Sequence, residues 1–115
     1  MGGLPMGADR RATERYVIDG LLLEIGGVDH ETIDVSARSV AVVRVAGVDY
    51  RDLRAPFRFK SRKSAAIDHS ISGLRIIGER AATIVFEYRI KNDDWEATLQ
   101  RHDVRAGAGL EDVFG

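Results

Sequence analysis

Short apolar, β-branched segments that recur along the sequence are the feature that most constrains the fold of this chain. They occupy residues 16–25, 28–33, 39–47, 55–63, 71–78 and 82–90. The fourth segment alternates aromatic and basic side chains with a period of two, at Phe57, Arg58, Phe59, Lys60 and Arg62. That period is typical of a strand with one buried face. Six short strands joined by turns predict an all-β chain closed into an antiparallel barrel.

After the last segment the apolar period changes to that of a helix. Trp95, Leu99 and His102 are spaced i, i+4 and i+7, which places them on one helical face. Asp93 and Glu96 have the spacing of a capping box, so we expect the helix to begin there. The sequence therefore predicts one C-terminal α-helix, anchored on the barrel by Trp95.

Length and composition indicate a single folded domain. The chain has 115 residues, 44% of them hydrophobic, and no cysteine. Residues 1–9 contain three Gly and one Pro without periodicity, and we expect a flexible arm there. The predicted domain spans residues 10–106, and residues 107–115 form a tail.

Several functional classes find no support in the sequence. No apolar run approaches the ~20 residues that cross a bilayer, and the first residues lack the apolar core of a secretory signal. The phosphate-binding and nucleophile motifs of common enzymes do not occur, and His30, His69 and His102 are far apart in the chain. We expect a cytoplasmic protein that is not an enzyme and holds no metal or cofactor, with its histidines on strand or turn surfaces and near the helix end.

An arginine group precedes the first strand. Arg11 and Arg15 have the spacing R-x-x-x-R, and Arg10 stands directly before them. Guanidinium groups offer forked donors that fit a phosphate or the O6/N7 edge of guanine. The alternative is a solvated helical turn in which Glu14 pairs with one of the two preceding arginines.

A second motif follows the predicted hairpin. Asp34, Ser36 and Ser39 match D-x-S-x-x-G except at the last position, where Ser replaces Gly. The order R-x-x-x-R, hairpin, D-x-S-x-x-G resembles the PilZ domain, a bacterial receptor module for cyclic di-GMP. The resemblance covers roughly residues 10–104 and implies a PilZ-like six-stranded barrel with a terminal helix.

The resemblance also implies a ligand site. Its members are a set of arginines and the second motif, namely Arg10, Arg11, Arg15, Asp34, Ser36 and Ser39. Arginines of the first motif hold phosphates and guanine edges, and the Asp and Ser of the second contact a guanine. The arginine that precedes the first motif favours an intercalated pair of nucleotides over one.

Two details of the second motif lead to further predictions. If Gly serves a left-handed backbone, Ser39 costs about 1–2 kcal/mol, so Ser39→Gly should tighten binding by that amount. An intact copy of the pattern, at Asp68, Ser70 and Gly73, occurs later in the chain. We interpret it as a turn, because Asp, Ser and Gly are favoured in turns.

Three functions remain open from the sequence. The first is a cyclic di-GMP receptor. It signals when the segment that carries Arg10, Arg11 and Arg15, here called the arginine arm, becomes ordered against the barrel. The second is a PilZ-like adaptor that binds an unidentified protein and no nucleotide. The third, which we consider unlikely, is single-stranded nucleic acid binding by the basic segment 55–63.

Overall fold

The computed structural model describes residues 14–104. It contains six strands and one helix: β1 Leu21–Ile25, β2 Val28–Val35, β3 Ser39–Val43, β4 Phe57–Ser61, β5 Asp68–Glu79, β6 Thr83–Ile90 and α1 Trp95–His102. The predicted arm 1–9, the predicted tail 107–115 and the two positions Arg10 and Arg11 lie outside the described residues.

The strands close into an antiparallel barrel in the order β1-β2-β3-β6-β5-β4. Strand β1 lies between β2 and β4, so that Leu23 is opposite both His30 and Phe59. Phe59 is fully buried and Phe57 packs against the core, as their alternation predicted. The predicted all-β barrel with a C-terminal helix is confirmed.

The first strand is shorter than predicted because a turn interrupts it. Gly20 has a φ of +83°, a left-handed conformation that L side chains rarely adopt, and β1 begins at the next residue. Before the turn, Tyr16 pairs in isolation with Val35 on β2, through two backbone hydrogen bonds of 2.7 and 2.9 Å. The segment that carries Arg15 is therefore attached to the barrel outside the main strands.

The intact motif copy lies in a strand and not in a turn. Residues 68–73 form the first half of β5, where Asp68 is opposite Lys60 and Ser70 is opposite Arg58. The turn interpretation is therefore wrong. Pairing with β4 outweighs the local turn preference of these residues, because each strand pair adds hydrogen bonds along its length.

Helix α1 covers one end of the barrel. Trp95 and Leu99 are buried, as predicted, and the indole stacks on Phe59 at 4.9 Å between ring centroids. His102 is the last residue of the helix. The helix thus completes the core at the end where β2 finishes and β3 begins.

The prediction of a capping box at Asp93 and Glu96 is wrong. The helix begins at Trp95, two residues later than expected, and the N-cap residue Asp94 makes no side-chain capping hydrogen bond. Instead, Asn92 Oδ1 accepts a hydrogen bond from the Asp94 amide at 3.0 Å. The start of the helix is set by the burial of Trp95, which outweighs the local capping signal.

The loop between β3 and β4 lies at the other end of the barrel. Its Tyr50 is buried, and the hydroxyl lies 2.7 Å from Nε2 of His30. His30 is fully buried, so the predicted surface position of this histidine is wrong. Its ring nitrogens are satisfied by Tyr50 and by the carbonyl of Val28 at 3.0 Å, which permits burial of the imidazole.

Candidate functional site

A tight turn joins β2 to β3 and carries the second motif. The Ser36 amide donates to the Ser39 carbonyl at 2.7 Å, and Ser36 Oγ accepts from the amides of Arg38 (3.3 Å) and Ser39 (3.0 Å). Ser36 is buried, with 2% of its surface exposed. Its hydroxyl is therefore used to build the turn, as serine side chains commonly do where the backbone reverses.

Arg15 reaches this turn from the segment before β1. Its Nε and Nη2 donate to Asp34 Oδ1 at 3.1 and 2.5 Å, and its Nη1 donates to the Ser39 hydroxyl. The Arg15 and Asp34 side chains are each 34% exposed. The arrangement is a half-exposed ion pair on the outer surface of the barrel, with a hydroxyl beside it.

Three of the predicted site residues therefore meet. Arg15, Asp34 and Ser39 are as far as 24 positions apart in the chain and share one hydrogen-bonded cluster. Ser36 is buried, and it supports the cluster by holding the turn that carries Ser39. Arg10 and Arg11 belong to the part of the chain that the structure does not describe. The alternative, a helical turn in which Glu14 pairs with one of these arginines, therefore stays a prediction.

The expectation of backbone strain at Ser39 is wrong. Within residues 14–104 only glycines have a positive φ, and Ser39 is the first residue of strand β3. An extended strand residue tolerates a Cβ without penalty. The serine adds a contact that a glycine would lack, because its hydroxyl accepts a hydrogen bond from Arg15.

Tyr88 supports the turn from the barrel interior. It is 4% exposed on β6, its hydroxyl donates to the Ser36 carbonyl at 2.5 Å, and it accepts from Trp95 Nε1 at 2.5 Å. Burial raises the pKa of the Tyr88 phenol, and the Trp95 hydrogen bond and the Arg15 charge lower it in part. The phenol therefore remains a neutral donor and acceptor at physiological pH.

Sequence reasoning missed Tyr88 as a site residue. The inward positions of β6 are Ile84, Phe86 and Tyr88, and only the last carries a polar atom. A buried tyrosine usually needs a hydrogen-bond partner for its hydroxyl. That single polar group in an apolar row is the signal that could have pointed to the turn.

The intact motif copy is not part of this cluster. In the barrel order, β5 is separated from β2 by β3 and β6. The Asp68 carboxylate is exposed and pairs with Arg58 at 3.5 Å. The copy borders a surface cavity of about 330 Å³ between β5 and the end of β6.

The basic side chains of β4 are paired with acids on neighbouring strands. Glu24 Oε1 accepts from Arg58 at 3.0 Å and from Lys60 at 3.2 Å. Lys60 also pairs with Asp29 at 2.8 Å, and hydrogen bonds to these two carboxylates raise its pKa. The outward basic side chains of this segment therefore form a ladder of ion pairs.

Between residues 14 and 104, His, Asp and Glu side chains form no group of three that could hold a metal ion. No helix in that range has the length and apolar character that a membrane span requires.

None of the family models, curated proteins or solved structures compared with this chain matches it.

Proposed function

We propose that this protein is a cyclic di-GMP receptor without catalytic activity. The observation that carries the proposal is the convergence of Arg15, Asp34 and Ser39 at one half-exposed place on the barrel. The PilZ resemblance assigns Arg15 and Asp34 to the ligand, and Ser39 stands where its motif has glycine. The closed barrel and its terminal helix also agree with that resemblance.

The chemistry of the cluster fits a guanine nucleotide. A guanidinium donates to the O6/N7 edge of guanine or to a phosphate, and a carboxylate accepts from the guanine N1–H and N2–H₂ groups. In the structure Arg15 and Asp34 satisfy each other. A half-exposed ion pair is worth only about 0–1 kcal/mol, so a ligand that offers partners to both groups can separate them.

The arginine arm completes the proposed site. Arg11 stands four residues before Arg15 in the sequence, with Arg10 beside it. Two further guanidinium groups near Arg15 would match the phosphates of a dianionic ligand. Ordering of this arm on the barrel would change the surface that a protein partner meets, which is the proposed signal.

A second candidate is the adaptor that binds no nucleotide. The observation in its favour is that the Arg15 donors are already used within the chain, by Asp34 and by the Ser39 hydroxyl that replaces the glycine of the motif. Single-stranded nucleic acid is disfavoured as a ligand. Phe59 is buried and cannot stack on a base, and Arg58 and Lys60 are ion-paired.

Titration calorimetry on the full chain tests the proposal. We expect heat with cyclic di-GMP and none with GTP or a short oligonucleotide. Arg11→Ala, Arg15→Ala and Asp34→Ala should each weaken binding, since a lost hydrogen bond to a charged group costs about 1.5–3 kcal/mol. That loss corresponds to roughly ten- to hundredfold in affinity.

Matched controls separate the site from the general effect of removing an ion pair. Arg62 and Glu31 form an exposed pair at 3.1 Å, and Glu31 shares strand β2 with Asp34. Arg62→Ala and Glu31→Ala should bind as the unmutated chain does, and so should Asp68→Ala in the second motif copy. Absence of heat with cyclic di-GMP would support the adaptor, and equal loss in the control variants would contradict the assigned site.

A further inference from the structure

Tyr88 links the motif turn to the start of α1. Its hydroxyl lies between the Ser36 carbonyl and Trp95 Nε1, at 2.5 Å from each, and its amide donates to the Arg38 carbonyl at 2.9 Å. Tyr88 and Trp95 are both buried. The position of the turn therefore depends on a side chain that the helix itself holds in place.

The turn transmits that position to the side chains of the site. Ser36 and Ser39 are joined by a backbone hydrogen bond of 2.7 Å, and their hydroxyl oxygens lie 3.0 Å apart. A shift of the Ser36 carbonyl also moves the end of β2, and with it the Asp34 carboxylate that pairs with Arg15.

The other end of α1 is attached to the segment that carries Arg15. The Val17 amide donates to Asp103 Oδ1 at 3.1 Å, and the Val104 amide donates to the Val17 carbonyl at 2.8 Å. Gln100 Nε2 donates to the Tyr16 hydroxyl at 3.4 Å. The helix is thus linked to both halves of the cluster, to the turn through Tyr88 and to the arginine segment through Gln100 and the two residues that follow the helix.

We infer that α1 is a structural part of the ligand site, and that docking of the helix and occupancy of the site stabilise each other. The inference rests on the proposed function for the identity of the ligand. Coupling of this kind is reciprocal. A partner that draws α1 from the barrel would release the ligand, and bound ligand would hold the helix on the barrel.

Tyr88→Phe tests the link, because it removes one hydroxyl and keeps the ring. Tyr50→Phe is the matched control, since it removes a buried hydroxyl with partners of its own, at the opposite end of the barrel. We expect Tyr88→Phe to weaken cyclic di-GMP binding by about three- to tenfold, the effect of one hydrogen bond. Tyr50→Phe should change the affinity by less than about twofold, because its hydroxyl contacts no site residue.

Hydrogen exchange gives a second measurement. Saturating cyclic di-GMP should slow amide exchange in α1 of the unmutated chain, and should slow it less in Tyr88→Phe. An equal loss of affinity in Tyr88→Phe and Tyr50→Phe would overturn the inference. So would an amide exchange rate in α1 that does not change when the ligand is added. If Tyr88→Phe does not fold, Trp95→Phe removes the indole donor to the same hydroxyl and has the same expected outcomes.

A ligand-free comparison keeps this inference separate from the proposed function. If the unmutated chain binds no cyclic di-GMP, the proposed function fails. The link is then decided by amide exchange at Arg38 and Ser39. Faster exchange in Tyr88→Phe than in Tyr50→Phe supports it, and equal exchange overturns it.

Discussion

At Arg15, the donors that suit a phosphate or a guanine edge are bound within the chain. The Asp34 carboxylate and carbonyl accept hydrogen bonds from Arg15, and so does the Ser39 hydroxyl. Because Ser39 lies in an extended strand, its Cβ causes no backbone strain. If the chain binds cyclic di-GMP as proposed, the serine hydroxyl competes with the ligand for the arginine.

Substitution of Ser39 separates the hydroxyl from the backbone. Ser39→Ala should tighten cyclic di-GMP binding by about two- to tenfold, because it removes one hydrogen bond that holds Arg15 away from the ligand. Ser39→Gly should tighten it no further than Ser39→Ala does. Calorimetry measures both, with Ser70→Ala of the second motif copy as the control. A glycine variant that binds much more tightly than the alanine variant would show that the Cβ, and not the hydroxyl, opposes the ligand.

At the scale of a strand, the outer face of β4 is neutralised by its neighbours. Glu24 on β1 is the centre of this ladder, with a side chain only 10% exposed and contacts to Arg58 and Lys60. Removal of its charge leaves two cations without that partner next to apolar surface. The strand pairing of β1 with β4 depends in part on this carboxylate.

Glu24→Gln should lower the free energy of unfolding by about 1–3 kcal/mol, since hydrogen bonds to charged groups are involved at a nearly buried position. Glu31→Gln is the control on the neighbouring strand, where both members of the pair with Arg62 are more than half exposed. We expect a change below about 1 kcal/mol there. Denaturant unfolding measures both variants, and equal effects would show that burial of Glu24 does not matter.

For the whole molecule, closure of the barrel core depends on aromatic side chains from distant elements. At the helix end, Phe59 packs on Tyr88 and on Trp95, each at 4.9 Å between ring centroids. At the other end, Tyr50 packs against His30 and Phe86. These contacts join strands, loop and helix into a single core.

Global stability should fall in alkaline solution because of Tyr88. Burial raises the pKa of its phenol above the ordinary value of 10.0, so the unfolded state ionises first as the pH rises. The stability of the neutral folded form is complete below pH 10 and declines above it, as the unfolded chain releases the proton. Tyr88→Phe should unfold more easily at pH 8 and lose less stability between pH 9 and 11, as measured by denaturant midpoints. Parallel pH profiles for the two proteins would contradict the assignment to Tyr88.

Local patterns in the sequence were enough to predict the architecture. The period of two at Phe57 and Phe59, the Gly26–Gly27 turn and the helical spacing of Trp95 and Leu99 all predicted elements that the structure contains. Such patterns are readable because burial of one face depends on neighbours a few residues away. The three residues that form the half-exposed cluster, Arg15, Asp34 and Ser39, also followed from motif spacing.

Only the tertiary structure decided how those residues are used. Ser36 is buried and its hydroxyl builds the turn, Asp68 starts a strand, and His30 is buried against Tyr50. The outcomes at Asp68 and His30 depend on a strand register and on a partner twenty positions away, and neither leaves a local signal. The hydrogen bond from Tyr88 to Ser36 spans 52 positions. The physical reason is that closing the barrel selects which polar groups meet, whereas the local sequence specifies only which face of each element is apolar.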